Sequence, residues 1–283
     1  MKNHLVEVSD SVSIATTRHG SSEPEVVLVH GLASNRHMYD LVAEELEEMG
    51  ISSLSLDQRG HGDSSKPDQG YHHKTLANDV ATVVKSFGNS HPKVMVGQSW
   101  GGAFVSDFAI NFPDLVSGLV LIDGGIFDLK ERFDSWDSVA RNLAPPKFSG
   151  VKYEDLEERI ASGGWTGRQL SCIMENFENV EGEARPHLVF ENHMKILKSL
   201  YEYTPSSTLP FLSIPKLALL ADRGNSPLAQ STDFDAQIAK ISRDLSIEIR
   251  EINGARHDLH LQYPKITANA IQEILQRIKG SNK

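Results

Sequence analysis

The chain has 283 residues, of which 39% are hydrophobic and 23% charged, and its formal net charge is −10 at pH 7. This length allows one large α/β domain or two small ones, and the acidic balance disfavours nucleic acid and anionic membranes as partners, because both bind positively charged surfaces. The single cysteine, Cys172, excludes an intramolecular disulfide and a zinc site built from cysteines.

The N-terminal segment alternates polar and apolar side chains. Over residues 6–20 this alternation predicts two strands joined as a hairpin. The segment lacks the apolar core of a signal peptide, and no apolar run in the chain approaches the ~18 residues that a membrane helix needs. We therefore expect a cytoplasmic protein.

From residue 25 onward, short apolar runs alternate with amphipathic stretches. The run EVVLVHG ends in a turn, as a buried parallel strand does, and residues 38–50 have the apolar spacing of a helix that stops at Gly50. The pattern continues with a strand at 51–56, a helix at 75–88, a strand at 93–99, a helix at 101–113 and a strand at 115–123. It predicts a mostly parallel sheet with helices on both faces.

Residues 126–209 interrupt this alternation. They are rich in charge, helical in pattern and broken by APP, SGG and TPSS. The strand and helix pattern returns with IPKLALLAD and IEIREING and ends with the helix KITANAIQEILQRIK. We therefore predict a core formed by residues 1–125 and 210–283, with residues 126–209 as a helical cap.

Ligands of such sheets bind beyond the carboxyl ends of the strands. The loops expected at that edge are HGLASN, DQRGHGDS, GQSWGG, DGGIF and ADRGNS. The cap would cover them, and some of its aromatic residues would form an apolar pocket.

GQSWG fits the G-x-S-x-G pattern between a predicted strand and a predicted helix. A strand that turns directly into a helix strains the middle residue, and side chains at Gly97 and Gly101 would collide with their surroundings. Ser99 is then presented at a helix N-terminus, where the partial positive charge favours a developing anion. We interpret Ser99 as a nucleophile rather than as part of a plain surface turn.

A serine hydroxyl needs a base to take its proton. His257, in the loop after the last predicted strand, is the candidate base. His260 is interpreted as a packing residue, and it stays the alternative base. An oxyanion needs two backbone N–H donors, for which we predict Trp100, directly after Ser99, and Leu32, in the loop after the first parallel strand.

DQRGHGDS contains Asp57, Arg59, His61 and Asp63, a set that could suggest a metal site or an acid–base pair. It holds one imidazole, and its glycines indicate a tight loop. We therefore predict that this loop is structural and braces the edge of the sheet.

Together these residues resemble the α/β-hydrolase superfamily. The resemblance rests on VLVHG at 27–31, DQRGHGDS at 57–64, VGQSWGG at 96–102, LVLID at 119–123 and GARH at 254–257. It implies a mostly parallel eight-stranded sheet flanked by helices, a helical cap, and a triad of serine, acid and histidine.

The acid of the triad departs from the common pattern of that superfamily. The position usually taken by the acid aligns with Gly224, which has no carboxylate. Asp222 is the nearest substitute, and Asp123 is the other candidate, because some members carry their acid at the end of the earlier strand. We favour Asp123 and keep Asp222 as the alternative.

We expect a serine hydrolase that cleaves a small, mostly uncharged carboxylic ester through an acyl-enzyme, as a monomer or homodimer and without a metal or organic cofactor. The alternatives are a lactonase or carbon–carbon bond hydrolase, a non-catalytic ligand receptor on the same fold, and a peptidase of the proline-iminopeptidase type. The peptidase would need a carboxylate cluster in the cap, for which Glu154, Asp155, Glu157 and Glu158 are the candidates.

Overall fold

The computed structural model describes residues 1–88, 90–225 and 234–281. In chain order its strands are β1 (Lys2–Ser9), β2 (Val12–His19), β3 (Val26–Val29), β4 (Ser53–Leu56), β5 (Lys93–Gln98), β6 (Val116–Ile122), β7 (Phe177–Val180), β8 (Glu183–Pro186), β9 (Lys216–Leu220) and β10 (Glu248–Glu251). Its α-helices are α1 (Asp40–Glu48), α2 (His73–Ser86), α3 (Trp100–Asn111), α4 (Leu129–Arg132), α5 (Trp136–Leu143), α6 (Tyr153–Ser162), α7 (Arg168–Met174), α8 (Phe190–Glu202), α9 (Phe234–Asp244), α10 (Leu259–Gln262) and α11 (Pro264–Ser281).

Eight of these strands form one sheet in the order β1-β2-β4-β3-β5-β6-β9-β10. β2 runs antiparallel to both of its neighbours, and every other pair in the sheet is parallel. The predicted N-terminal hairpin and the predicted mostly parallel, eight-stranded sheet are both confirmed. The carboxyl ends of β3, β5, β6, β9 and β10 therefore lie along one edge, where their loops meet.

The central strands are buried because both faces of the sheet are covered. Alternate residues of β3 point to opposite sides: Val27 and Val29 join an apolar cluster with α2 and α3, while Val26 and Leu28 join another with α1 and α11. Each aliphatic side chain buried in this way contributes about 1.5–3 kcal/mol to folding. The continuous apolar runs read from the sequence are the signature of this two-sided burial.

The segment between β6 and β9 contains α4 to α8, and it is not helical throughout. Residues Phe177–Val180 and Glu183–Pro186 pair as an antiparallel hairpin, which the predicted helical cap did not include. Its turn residues Glu181 and Gly182 have φ of 52° and 87°, the positive values that a tight two-residue turn requires. The proposed boundaries at 125/126 and 209/210 stay predictions.

This segment, which we call the insertion (residues 126–209), rests on the loops at the carboxyl edge of the sheet. The Tyr203 hydroxyl donates to the Gly125 carbonyl oxygen at 2.9 Å, and the Asn35 side-chain amide donates to Asn176 Oδ1 at 2.6 Å. The last residue of the predicted ADRGNS loop lies outside the described residues. Among the described residues, no helix has both the length and the apolar character needed to cross a bilayer.

Candidate active site

Ser99 forms the whole turn between β5 and α3. Its φ and ψ are 53° and −119°, a sparsely populated conformation that costs on the order of 1–3 kcal/mol. A Cβ at Gly97 would lie 2.2 Å from the Gly101 carbonyl oxygen, and one at Gly101 would lie 2.5 Å from the Val29 carbonyl oxygen. The two glycines therefore allow the close backbone packing that keeps this turn in place.

Backbone strain is concentrated around this turn. Five non-glycine residues of the described chain have positive φ, and three of them, Ala33, Ser99 and Asp123, follow β3, β5 and β6 at the same edge of the sheet. The loop after β6 packs directly on the turn, since a Cβ at Gly124 would lie 2.3 Å from the Ser99 carbonyl oxygen. Strain of this kind persists where the surrounding structure fixes it, which is typical of active sites.

Asp123 and His257 are brought into direct contact. Asp123 Oδ2 accepts a hydrogen bond from His257 Nδ1 at 2.5 Å, and its Oδ1 accepts one from the backbone N–H of Ala221 at 2.9 Å. The Asp123 side chain is 7% exposed and the His257 side chain is 51% exposed. One carboxylate is thus fixed between two strand ends and orients the imidazole by its Nδ1 atom.

Asp222, the alternative acid, does not reach His257. Its Oδ1 accepts from the Gly224 N–H at 2.8 Å, and its Oδ2 accepts from the Gly254 N–H at 2.7 Å. These hydrogen bonds, that of Gly254 above all, lower the pKa of Asp222. Asp222 therefore fastens the loop that carries His257 instead of touching its ring.

The pKa of His257 lies above its usual value. Desolvation lowers this pKa, but the hydrogen bond to Asp123 and the negative charges of Asp258 and Asp123 together raise it by more. Gln98, the residue before Ser99, ties this loop to the turn, because its side-chain amide lies 3.3 Å from the His257 carbonyl oxygen and 3.3 Å from Asp258 Oδ1. Sequence reasoning missed Gln98 and Asp258, although both directly adjoin motif residues.

The serine and the histidine make no direct hydrogen bond. Across residues 1–88, 90–225 and 234–281, the Ser99 hydroxyl makes no hydrogen bond to the His257 ring. Contacts between nucleophile and base are often long without substrate and tighten when it binds. His260 is fully buried against the Tyr39 ring, and burial lowers its pKa to about 3. This position fits the packing role that we predicted for His260.

The loop that carries Leu32 approaches the Ser99 turn closely. A Cβ at Gly31 would lie 2.2 Å from Gln98 Oε1 and 3.2 Å from Ser99 Cβ. His30 is buried and fixes this loop: its Nδ1–H donates to the Gly31 carbonyl oxygen at 2.7 Å, and its Nε2 accepts from a backbone N–H at 2.9 Å. Trp100 begins α3, where backbone N–H groups have no acceptor within the helix.

His61 connects the two predicted oxyanion donors. Its Nε2 accepts from the Ala33 N–H at 3.3 Å, and its Nδ1–H donates to the Arg59 carbonyl oxygen at 3.1 Å. Its ring stacks on Trp100 with a centroid distance of 5.8 Å. Burial, with the charge of His30 next in size, lowers the pKa of His61 well below its usual value, so the ring stays neutral.

The remaining charges of DQRGHGDS are paired. Asp57 accepts from the Arg36 N–H at 2.6 Å and also contacts its guanidinium, while Arg59 binds Asp79 at 2.7 and 2.9 Å. In the described part of the chain, no cluster of three or more His, Cys, Asp or Glu side chains has an arrangement that could hold a metal. These contacts agree with the bracing role predicted for this loop.

A cavity of about 920 Å³ lies between the insertion and the Leu32 loop. Ala33 and Ser34 form part of its wall, whereas Ser99 and His257 do not, so it opens beside the turn and not directly on it. Among the aromatic residues of the insertion, Phe148, Phe177 and Phe190 line this cavity.

The carboxylates considered for a peptidase lie elsewhere. All four are exposed on α6, and none of them lines the cavity: Glu154, Asp155, Glu157 and Glu158. They form a solvated helix face in this structure.

Comparison with known proteins agrees with this fold. A family model for the α/β hydrolase fold matches residues 24–164. The 2-(acetamidomethylene)succinate hydrolase of Mesorhizobium japonicum is 25% identical over 262 residues, which cover 91% of this chain and 90% of that protein.

Solved structures match over nearly the whole chain. The crystal structure of E-2-(acetamidomethylene)succinate hydrolase has a TM-score of 0.78 at 23% identity and covers 97% of this chain and 99% of its own. A thermophilic esterase from Thermogutta terrifontis has a TM-score of 0.70 at 22% identity, with 98% and 99% covered. These matches confirm the predicted fold, and the relatives' names together with that fold support a hydrolase.

Proposed function

This chain is a member of the α/β-hydrolase superfamily, and on that premise we propose that it is a carboxylesterase-like serine hydrolase. Its substrate would be a small, mostly uncharged carboxylic ester, cleaved through an acyl-enzyme intermediate. Ser99 is the proposed nucleophile, His257 the base and Asp123 the acid. The backbone N–H groups of Leu32 and Trp100 are the proposed oxyanion donors.

One observation carries this proposal: the 2.5 Å hydrogen bond from His257 Nδ1 to Asp123, next to the strained turn of Ser99. A carboxylate on Nδ1 fixes the imidazole in the tautomer whose Nε2 accepts a proton, and it stabilises the imidazolium that then forms. The contact favours Asp123 over Asp222, whose two oxygens accept from backbone N–H groups.

The proposed reaction has two steps. His257 Nε2 takes the hydroxyl proton while Ser99 Oγ attacks the ester carbonyl, and the N–H groups of Leu32 and Trp100 stabilise the oxyanion. The imidazolium then gives its proton to the leaving alcohol as the carbon–oxygen bond breaks. In the second step, His257 activates a water molecule that attacks the acyl-enzyme, and the carboxylic acid leaves with Ser99 restored.

Turnover of p-nitrophenyl butyrate tests this proposal. We expect wild-type protein to release p-nitrophenol, with kcat lowered by about 10³-fold or more in Ser99→Ala. Ser162→Ala, a change to an exposed serine on α6, is the matched control and should leave turnover unchanged. Equal turnover in wild type and Ser99→Ala would refute the proposal.

A second candidate substrate comes from the relative that covers 91% of this chain, which is a 2-(acetamidomethylene)succinate hydrolase. Its substrate name specifies an acetamido group on a dicarboxylate. Lys147 and Arg185 on the cavity wall are two cations that could bind such an anion, although Glu183 and Glu191 on the same wall oppose them. Adding this compound to the panel separates the candidates: a kcat/KM for it far above that for every neutral ester would replace the ester proposal.

A further inference from the structure

His193, on α8 of the insertion, is a buried imidazole that the proposed mechanism does not use. The residue is 7% exposed, and burial lowers its pKa to about 4. The ring is therefore neutral at pH 7 and offers one N–H donor and one acceptor nitrogen. Across residues 1–88, 90–225 and 234–281, no protein group forms a hydrogen bond with this ring.

Buried polar groups are normally paired, so an unpaired imidazole needs an explanation. His260 is also buried without a partner among the described residues, but both of its ring nitrogens are sealed from solvent inside the core. The ring nitrogens of His193 are not sealed, and the residue forms part of the cavity wall. The partner of His193 can therefore be a molecule that enters the cavity.

His193 shares the cavity wall with Ala33, a residue of the loop that carries Leu32. His61 packs beneath this loop, and its pKa is lowered by burial first and then by the charge of His30. His61 in turn holds the Ala33 N–H of the Leu32 loop. Ala33 and His193 both line the cavity, which connects this imidazole to the loop that carries a predicted oxyanion donor.

The rest of the cavity wall differs from His193. Apolar side chains, among them Leu143, Phe148, Phe177 and Leu188, form much of it. The charged residues on its wall are all exposed, and both signs are present: Lys147, Glu183, Arg185 and Glu191. Of the polar residues on this wall His193 alone is buried, whereas Ser34, Asn176 and His187 are half-buried.

We propose that His193 forms a substrate-binding subsite that takes a neutral oxygen-bearing group, such as a ketone, hydroxyl or amide. The inference rests on the ester hydrolase proposed above and narrows its substrate to esters that carry such a group on the part held in the cavity. A site built to hydrogen-bond a polar group rejects an analogue that lacks it, because its own polar atoms then stay unpaired.

Matched pairs of p-nitrophenyl esters test this subsite. Oxo-alkanoates with the ketone at carbon 4, 5 or 6 are compared with alkanoates of equal length in wild type and in His193→Phe. For each pair, kcat/KM of the oxo-alkanoate is divided by kcat/KM of the alkanoate. Comparing this ratio between wild type and variant cancels the intrinsic reactivity of the esters. We expect His193→Phe to lower the ratio of at least one pair by about tenfold, the loss of one hydrogen bond, while the alkanoates change by less than about threefold.

Two further variants separate binding from folding. His193→Gln keeps a neutral donor and acceptor and should restore most of the lost ratio, whereas His193→Leu replaces the Phe variant if that one does not fold. His187→Phe changes another histidine of the same cavity, one that faces Glu178 at 3.3 Å, and should leave the ratios unchanged. Rescue by Gln is not expected if His193 only fills space.

Three results overturn the subsite. The first is that His193→Phe leaves the ratio of every pair unchanged, and the second is that His187→Phe lowers a ratio instead. The third is that, with p-nitrophenyl hemisuccinate added to the panel, His193→Phe lowers kcat/KM for that ester alone, which would mean a carboxylate ligand. In each case the alkanoates are still hydrolysed and Ser99→Ala is still inactive. The parent proposal fails differently, with no ester hydrolysed by any of the proteins.

Discussion

The ion pair in the loops at the carboxyl edge of the sheet and the ion pair that joins the insertion to the core differ in burial. In the loops, polar groups are buried and paired: the side chains of Arg36 and Asp57 are 5% and 0% exposed in their ion pair. The insertion meets α1 through Arg168 and Glu44, whose side chains are 59% and 44% exposed. Breaking a buried pair is costly and breaking an exposed one is not.

This difference in burial distinguishes the loops that carry the proposed catalytic groups from the insertion that would bind the substrate. The groups proposed for catalysis lie on loops whose positions are fixed by strained backbone, close glycine contacts and buried ion pairs. The cavity wall that would recognise substrate comes mainly from the insertion, where the charged side chains are exposed. The proposed catalytic geometry is therefore the more constrained part, and changes in the insertion are expected to alter the substrate without altering the loops.

The largest expected effect is that of Asp123→Asn. The amide cannot hold His257 in the same tautomer with the same charge, so we expect kcat for p-nitrophenyl butyrate to fall by about 10³–10⁴-fold. In the insertion, Arg185→Ala removes an exposed charge from the cavity wall and should change kcat/KM for this neutral ester by less than about threefold.

Asp222→Asn is the matched control within the loops, since it changes the other candidate acid by one atom. We expect it to weaken the loop that carries His257 but to lower kcat by less than about tenfold, because that carboxylate does not touch the ring. Near-full activity in Asp123→Asn together with a loss of several orders of magnitude in Asp222→Asn would reverse our assignment.

The second expected effect concerns stability. Arg59 and Asp79 form a bidentate pair with side chains 8% and 7% exposed, so Asp79→Asn should lower the free energy of unfolding by about 3 kcal/mol. Glu44→Gln, which breaks the exposed pair with Arg168, should lower it by less than about 1 kcal/mol. Urea unfolding followed by circular dichroism measures both. Equal losses would mean that the two regions are held alike.

A third expected effect compares two glycines. A Cβ at Gly101 would lie 2.5 Å and 2.6 Å from the carbonyl oxygens of Val29 and His30, which are backbone atoms that cannot move freely. Gly101→Ala should therefore destabilise the fold by about 2–3 kcal/mol and lower ester turnover. Gly150, in the insertion, has φ of 75° and nothing near its missing Cβ.

Gly150→Ala should cost only its backbone strain, about 1 kcal/mol, with turnover unchanged. The comparison is made on thermal midpoints at equal protein concentration. A Gly101→Ala protein as stable and as active as Gly150→Ala would show that the close packing around Ser99 is not needed.

Much of the fold and part of the site follow from the sequence because they depend on local patterns. Strands buried on both faces are continuously apolar, and glycines on each side of Ser99 mark a turn with no room for side chains. The predictions for Trp100 and Leu32 depend on their positions next to Ser99 and after the first parallel strand. The prediction for His257 depends on its position in the loop after the last strand.

Other features depend on contacts between distant segments, which local patterns do not encode. Asp123 and Asp222 both end strands, and only the path of the His257 loop decides which one meets the ring. The hairpin at 177–186 was missed because charged residues obscure its short alternation, although Gly182 marks its turn. His193 belongs to a buried helix stripe with Ile196 and Leu197, but the pattern cannot tell a cavity wall from a packed core.

The smallest expected effect is on pH dependence. His257 must be neutral to act as base, so kcat/KM should fall as the pH drops through its pKa, which lies above the ordinary value of 6.5. In Asp123→Asn one cause of the raised pKa is removed, and the acid limb of the remaining activity should move to lower pH. His91→Gln, before β5 at the opposite end of the sheet, should leave the limb in place. A wild-type limb well below pH 6.5 would contradict a base that is held by Asp123.

Ser99 is proposed to be the nucleophile, presented on its strained turn. The most direct measurement is mass spectrometry of the protein after reaction with a fluorophosphonate probe, with peptide mapping of the adduct. We predict one adduct per chain, located on Ser99, absent in Ser99→Ala and retained in Ser162→Ala. Wild-type protein that stays unlabelled, or an adduct on another residue, would contradict a nucleophilic Ser99.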